Sequence, residues 1–83
     1  MSYYVYIIYS KQLDTYYTGQ TNNIETRLNN HLSGISKFTA RAKDWVLVHH
    51  ETFNSRTEAI QRENAIKKKK SRKYIEWIIA MED

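Results

Sequence analysis

Residues 3–9 read Tyr-Tyr-Val-Tyr-Ile-Ile-Tyr, an unbroken run of aromatic and β-branched side chains. Such side chains suit a pleated sheet, and a short apolar run without alternation is typical of a strand covered on both faces. The run therefore predicts the central strand of a small sheet. Lys11 to Asp14 form the turn candidate, and residues 15–20, Thr-Tyr-Tyr-Thr-Gly-Gln, predict a second strand.

Pairing of these two strands in a hairpin is predicted to place Tyr6 opposite Tyr17. The loop then has an even number of residues, and the two rings share one face of the sheet. Gly19 at the end of the second strand lets another backbone or a ligand approach closely.

Capping signals mark the helices. Thr21, Asn22 and Asn23 are candidate caps, and Asn22 with Glu25 three positions later resembles a capping box. These signals predict a helix over about residues 24–32, ended by Ser33-Gly34. Residues 35–43 show no clear period and predict a loop, and residues 45–50 predict a third strand.

The last third of the sequence predicts two more helices. Ser55 with Glu58 is a capping box that opens a helix lasting to about Lys69. Ser71 caps a final helix, whose buried stripe consists of Tyr74, Ile75, Ile78 and Ile79. The predicted fold class is α/β of the α+β type: a single domain over residues 1–83, with a small three-stranded antiparallel sheet flanked by helices in the order β-β-α-β-α-α.

Composition narrows the class of protein. The chain has 83 residues and no cysteine, which excludes a disulfide framework and a thiolate metal site. Its first residues carry no basic leader, and no apolar run approaches the roughly 18 residues of a membrane span. We therefore expect a soluble cytoplasmic protein that has no membrane partner.

Positive charge is concentrated in one segment. Six of the thirteen basic residues stand in positions 67–73, which leaves seven basic residues against nine acidic ones elsewhere. This density predicts contact with nucleic acid through Lys67, Lys68, Lys69, Lys70, Arg72 and Lys73. The alternative is an exposed helix end, where cations interact favourably with the helix dipole.

Two polar residues accompany the apolar side of the first predicted helix. Arg27 and His31 are four positions apart and share a face with Leu28 and Leu32. Both are thus aimed at the boundary of the core, where low polarity strengthens hydrogen bonds to an anion. The alternative is an arginine whose stem covers apolar surface and a histidine that fills a half-buried space.

Glu63 interrupts the apolar stripe that Ala59, Ile60 and Ile66 form on the next helix. A carboxylate placed there costs several kcal/mol unless it is paired, hydrogen-bonded or bound to a metal. Two explanations follow: an ion pair with Arg27, or an oxygen ligand for Mg²⁺, which commonly takes one or two carboxylates and completes its shell with water and phosphate.

In order and spacing, these residues resemble the GIY-YIG endonuclease superfamily, and more closely its small stand-alone bacterial members. The matching positions are Tyr4-Val5-Tyr6, Tyr17-Thr18-Gly19, Arg27, His31 and Ala59-x-x-x-Glu63, and the likeness spans about residues 3–70. It departs from the family pattern at Tyr4, which replaces a glycine, and at Gln20, where many of these nucleases carry lysine.

The resemblance implies a β-β-α-β-α core and metal-dependent hydrolysis of DNA, while RNA stays open as the less favoured target. By position, Tyr6 and Tyr17 would orient or deprotonate the attacking water, and Arg27 would stabilise the phosphoryl charge. His31 would assist at the water or the phosphate, and Glu63 would bind a single Mg²⁺ or Mn²⁺ ion.

Three functions are therefore open. The first is a metal-dependent DNA endonuclease of low sequence specificity, and the second is a non-catalytic nucleic-acid-binding module on the same scaffold. The third is a protein-interaction domain, which requires residues 3–9 to be accessible to solvent.

Overall fold

The computed structural model describes residues 2–35 and 37–81. Its strands and helices, in chain order, are β1 (Tyr3–Ser10), β2 (Thr15–Thr21), α1 (Ile24–Leu32), β3 (Val46–Phe53), α2 (Arg56–Lys69) and α3 (Arg72–Ala80), with a short 3₁₀ helix at Thr39–Arg41. The predicted order β-β-α-β-α-α and the α+β class are confirmed. Within the described residues, no helix is long and apolar enough to cross a lipid bilayer.

The three strands form one antiparallel sheet in the order β2-β1-β3. Residues 5–8 of β1 are at most 2% exposed, as expected for a central strand made of β-branched and aromatic side chains. The burial of β1 contradicts the third function considered above, because that function needs these residues at the surface.

The predicted register of the hairpin is wrong by two residues. Tyr6 pairs with Gly19 and Tyr17 pairs with Ile8, across a loop formed by residues 11–14. Because side chains alternate with a period of two, a shift of two preserves the face, and the two tyrosine rings still lie on the same side, 6.5 Å apart. The rings are therefore diagonal neighbours rather than a directly opposed pair.

Helices cover both faces of the sheet. On one face Val5 packs against Ala59 and Ile66 of α2 and Ile78 of α3. On the other face Tyr6 and Ile8 pack against Ala42 and Trp45, together with leucines of α1. Side chains from the two faces can therefore meet only beyond an edge of the sheet.

Most of the predicted boundaries are confirmed. Ser55 and Ser71 cap α2 and α3 as expected, with side chains that accept from the backbone N–H groups of Glu58 and Tyr74. The cap of α1 is Asn23 rather than Asn22, because its side chain accepts from the N–H of Thr26.

Two segments differ from their predictions. β3 continues to Phe53, beyond the predicted end at residue 50. The segment predicted as a loop, residues 35–43, contains the 3₁₀ helix, and its Ser36 lies outside the described residues.

Candidate active site

The phenol oxygen of Tyr6 lies at the centre of the site. It is 2.8 Å from Nε2 of His31, and Nε of Arg27 donates to it at 3.3 Å. The ring passes directly over Gly19, where a Cβ atom would lie 2.7 Å from Cζ of Tyr6. Gly19 thus permits a close approach, as predicted, but the approaching group is the Tyr6 side chain rather than a ligand or another backbone.

His31 is fully buried and is held from its other side by the 3₁₀ helix. Its Nδ1 is 2.6 Å from Oγ1 of Thr39, which is also fully buried. The indole N–H of Trp45 donates to the carbonyl oxygen of Thr39 at 2.9 Å and holds the turn in place. The imidazole plane is therefore fixed by contacts at both ring nitrogens.

The contacts favour the tautomer of His31 that carries its proton on Nδ1. Arg27 donates to the Tyr6 oxygen, so the Tyr6 hydrogen remains available to point at Nε2. The imidazole then donates from Nδ1 to Thr39 and accepts from Tyr6. In this arrangement Nε2 is the atom that can receive a proton.

Burial sets the protonation states of these groups. Burial first, and then the positive charge of Arg27, lower the pKa of His31 to about 4. Burial raises the pKa of Tyr6 to about 12, against the opposing effect of Arg27. At neutral pH the site therefore holds a neutral imidazole, a neutral phenol and a guanidinium, whose own pKa is raised first by its hydrogen bond to Tyr6.

Tyr17 forms the outer, half-buried wall of this cluster. Its ring lies edge-on to His31 at 5.0 Å and stacks on Phe38 at 5.6 Å. The ammonium of Lys67 lies 5.7 Å from the centre of the same ring. Tyr17 therefore joins the buried Tyr6–His31 pair to the surface.

Glu63 reaches the cluster from the opposite face of the sheet. It belongs to α2, yet its charge is one of the influences that raise the pKa of Tyr6, after burial. Its carboxylate accepts from Nζ of Lys67 at 2.6 Å, and its side chain is 17% exposed. The ion pair considered with Arg27 is thus replaced by one with Lys67. Of the five residues predicted from sequence, Tyr6, Tyr17, Arg27 and His31 form one cluster, and Glu63 is joined to it through Lys67, whose ammonium lies over the Tyr17 ring.

The donor groups of the site suit a weakly held magnesium or manganese ion. In residues 2–35 and 37–81 no three side chains of the histidine, cysteine, aspartate or glutamate types are grouped to hold a metal. Mg²⁺ accepts one carboxylate when water and a substrate phosphate supply its remaining ligands. Glu63, partly exposed and paired with Lys67, is the carboxylate that could take that role.

A groove of about 520 Å³ adjoins the cluster along the outer edge of β2. The tyrosines of β2, one exposed phenylalanine and three cations are among its lining residues: Tyr16, Tyr17, Phe38, Lys67, Lys70 and Arg72. We call this space the β2 groove. Of the five predicted site residues it includes Tyr17 and not the other four, since Tyr6 and His31 lie beneath the surface.

The β2 groove divides the basic segment in two. Lys67, Lys70 and Arg72 line it, whereas Lys68, Lys69 and Lys73 do not. Lys69 instead covers the ring of Tyr74 at 5.3 Å. Contact with nucleic acid by all six residues stays a prediction. Lys67, Lys70 and Arg72 are the better placed for it, because they line the groove.

Sequence reasoning missed two residues of the site. Thr39 stands eight positions after His31 in a segment without periodicity, so no local pattern connects the two. Phe38 precedes it, and its contact with Tyr17 depends on the path of the same segment. Lys67 was predicted for nucleic-acid contact, but its spacing of four from Glu63 also signals the ion pair that the structure shows.

Comparison with known proteins agrees with this geometry. The sequence model of the GIY-YIG catalytic domain family matches residues 2–75 of this chain. The chain is 42% identical over 66 residues to a UPF0213 protein of Staphylococcus haemolyticus, which covers 78% of this chain and 79% of that protein. It is 38% identical over 79 residues to a UPF0213 protein of Bacillus licheniformis, with coverage of 90% and 80%.

A solved structure shows the same architecture. The solution NMR structure of a UPF0213 protein from Bacillus halodurans matches with a TM-score of 0.62 and 32% identity, over 99% of this chain and 86% of that one.

Proposed function

The chain belongs to the GIY-YIG family, and from this premise we propose that it is a metal-dependent endonuclease that hydrolyses DNA phosphodiester bonds with low sequence specificity. The family domain implies a nucleic-acid substrate. The observation that carries the proposal is the position of the Tyr6 oxygen between Nε2 of His31 and Nε of Arg27. A proton acceptor and a cation thus share one phenol.

The Tyr6–His31 pair is suited to move a proton. Because the pKa of Tyr6 is about 12, the phenol is neutral at physiological pH and is a poor base by itself. It can accept a proton from water on its oxygen while it passes its own hydrogen to Nε2 of His31, which is neutral because its pKa is about 4. The water oxygen then bonds to phosphorus as the bond to the leaving oxygen breaks. The leaving oxygen takes a proton from solvent, and the imidazolium of His31, a strong acid because of its low pKa, releases its proton again.

Arg27 supplies positive charge where negative charge develops. Its guanidinium stays protonated at every working pH, and its hydrogen bond to Tyr6 fixes one of its nitrogens. The remaining N–H groups can face the phosphate oxygens, whose charge increases in the transition state. Tyr17, the more accessible phenol, is placed to orient the attacking water.

Glu63 is the residue that would hold Mg²⁺ or Mn²⁺. A divalent ion there would polarise the phosphate and lower the pKa of a bound water. The protein itself contributes the carboxylate and the neighbouring ammonium of Lys67, which orients the Glu63 side chain.

Low sequence specificity is supported by the groups beside the site. The β2 groove presents lysines and an arginine, and such cations contact phosphates, which carry no sequence information.

The first prediction concerns Glu63. Glu63→Gln should lower the rate of plasmid nicking at least about 100-fold, because one charged ligand is lost at the reacting centre. The assay follows conversion of supercoiled DNA with Mg²⁺, with Mn²⁺ and with EDTA. Glu25→Gln is the matched control, because it removes the same charge from an exposed position of α1.

Two results would reject the endonuclease proposal. One is equal, EDTA-sensitive cutting by the parent and by Glu63→Gln. The other is salt-dependent DNA binding by a parent that never nicks any DNA form with either metal. The second result is expected of a non-catalytic nucleic-acid-binding module.

That module is favoured by Gln20, which stands where many of these nucleases carry lysine. Gln20 accepts a long hydrogen bond of 3.5 Å from Arg56 of α2. Gln20→Lys tests whether the absence of a lysine at this position limits cutting. If the parent cuts DNA, an unchanged rate in this variant would remove the support that Gln20 gives to the non-catalytic module.

A further inference from the structure

We propose that the β2 groove binds an unpaired strand next to the scissile phosphate, so that single-stranded DNA is preferred to duplex. This inference rests on the proposed function for the position of the scissile phosphate. The groove itself provides an aromatic wall, a cationic wall and a size that fits one strand.

The β2 groove and the candidate active site are continuous. Tyr17 lines the groove and contacts the His31 ring, while Lys67 lines the groove and binds Glu63. A strand whose phosphate lies between Arg27 and Glu63 therefore has its neighbouring nucleotide at the mouth of the groove.

The aromatic wall can stack a base. Phe38 is 43% exposed although one side of its ring rests on Tyr17. The exposed guanidinium of Arg41 lies 4.7 Å from the centre of the Phe38 ring. Phenylalanine rings and guanidinium planes both stack on unpaired bases, so a base can stack on Phe38 once the exposed Arg41 side chain swings aside, and the guanidinium can then cover the other face of that base.

The cationic wall depends most on Lys70. Arg72 lines the groove but already binds Asp14 at 2.7 Å and Glu76 at 3.1 Å, and Lys67 is paired with Glu63. Within the described part of the chain, the Lys70 ammonium has no ion-pair partner. It is therefore the cation available to the next phosphate.

Lys70 also occupies an unfavourable backbone position. It follows the last turn of α2 with φ of 49° and ψ of 36°, the left-handed conformation in which helix ends favour glycine. A lysine retained there gives up stability and gains a charge over the groove, which is the pattern expected of a binding residue.

The size of the groove suits unpaired nucleotides. A volume of about 520 Å³ is that of a site for one small ligand, which corresponds to roughly one or two nucleotides of one strand. Bases stacked inside a double helix cannot reach Phe38 unless they unpair, and unpairing costs a few kcal/mol.

The test measures binding in EDTA, where cutting is suppressed and does not affect the result. The probes are a fluorescein-labelled oligodeoxythymidylate of about 16 nucleotides, a blunt duplex of equal length and the same duplex with an unpaired tail. We expect the single strand to bind at least tenfold more tightly than the blunt duplex. The tailed duplex distinguishes a junction from a free strand as the preferred source of the unpaired nucleotides.

Two variants locate the binding. Phe38→Ala should weaken single-strand binding at least fivefold, the lower end of the effect of losing one stacked base, and Phe38→Tyr should restore it. Lys70→Gly should weaken it severalfold while the melting temperature is unchanged or higher. Neither should alter the affinity for blunt duplex.

Matched controls come from residues outside the groove. Trp77→Ala removes an aromatic ring that is 58% exposed on α3, and Lys68→Ala removes one positive charge of the same basic segment. Both should bind single strands as the parent does.

Equal or tighter binding of the blunt duplex would overturn the inference. So would equal losses in Phe38→Ala and Trp77→Ala. Because these measurements need no metal and no cutting, the inference can fail while the nuclease proposal stands. Tight single-strand binding by a parent protein that never nicks DNA would support the groove inference and reject the nuclease proposal.

Discussion

At the scale of single residues, His31 shows how much the fold changes ordinary chemistry. Its pKa falls from 6.5 to about 4 because the imidazole is buried among Tyr6, Tyr17 and Thr39 beside the Arg27 charge. The neutral ring is therefore present across the physiological range and can act as an acceptor. The burial of His31 lowers the free energy of unfolding at acidic pH, because there the unfolded chain binds a proton more readily than the folded one.

The second prediction follows from that difference. The free energy of unfolding should fall by roughly 3 kcal/mol between about pH 6.5 and pH 4, since one pKa unit corresponds to about 1.4 kcal/mol. Urea titrations of the parent and of His31→Gln at several pH values measure it. Carboxylates with lowered pKa values, such as Asp14 and Asp44, contribute to both proteins and cancel in the comparison. Parallel pH profiles for the two proteins would contradict the burial of a neutral His31.

Lys70 gives the third prediction, again for one residue. Lys70→Gly should raise the free energy of unfolding by about 0.5–1 kcal/mol, because glycine adopts the left-handed conformation without a Cβ clash. Chemical denaturation measures the change. Lys68→Gly, inside the last turn of α2, should lower stability by about 1 kcal/mol, since glycine is unfavourable within a helix. Loss of stability in both variants would show that Lys70 stabilises the fold rather than straining it.

At the scale of elements, the site depends on how closely β1 and β2 approach each other at Gly19. The Tyr6 ring occupies the space that a side chain on β2 would fill. The strand pair therefore positions the phenol of Tyr6, and α1 contributes Arg27 and His31 on either side of its oxygen.

The fourth prediction tests that approach. Gly19→Ala should lower stability by about 1–3 kcal/mol and also slow cutting, because the added methyl group displaces the Tyr6 ring. Urea unfolding and the plasmid assay measure the two effects. Gly34→Ala is the contrasting variant: φ there is 81° and the nearest atom to a new Cβ is 3.9 Å away. It should cost about 1 kcal/mol through backbone strain and leave cutting unchanged.

Elements whose signals are local were predicted well from sequence. The apolar run of β1 and the serine caps of α2 and α3 each depend on a few adjacent residues. The register of β1 with β2 was missed by two residues because alternation fixes the face of a side chain but not its exact partner. Turn geometry decided the register instead, with Asp14 in the left-handed conformation at the end of the loop.

The residues of the site divide in the same way, into those marked by a local signal and those whose role depends on tertiary contacts. Arg27, His31 and Glu63 are conspicuous because polar groups on apolar helix faces need a reason. Thr39 and Phe38 could not be found, since their roles arise from tertiary contacts of an aperiodic segment. The ion pair of Glu63 divides in the same way: Lys67, four positions away on the same helix, is a local signal, whereas contact with Arg27 depends on how the helices pack.

At the scale of the whole molecule, helices pack on both faces of the sheet, and the candidate site lies towards the edge formed by β2. Tyr6, Arg27 and His31 approach that edge from one side, and Glu63 from the other. The basic segment at the junction of α2 and α3 extends this region as the β2 groove. Net charge of +4 is therefore less informative than the three cations at this edge.

The last prediction counts those cations. The logarithm of the binding constant for single strands falls with the logarithm of salt concentration, with a slope of about −0.7 per neutralised phosphate. If the β2 groove makes the contacts, the slope in EDTA should lie between about −0.7, for Lys70 alone, and about −2, when Lys67 and Arg72 exchange their ion pairs for phosphate contacts. Contact by all six basic residues of the segment gives about −4. Fluorescence anisotropy between roughly 50 and 200 mM salt measures it.

Variants assign the slope to residues. Lys70→Gly should make it shallower by about 0.7, and Lys68→Ala should leave it unchanged, because only the first removes a phosphate contact. A steep slope that Lys68→Ala and Lys70→Gly reduce equally would mean that the polyanion binds the whole basic segment. In that case the β2 groove would not determine a preference for single-stranded over duplex DNA.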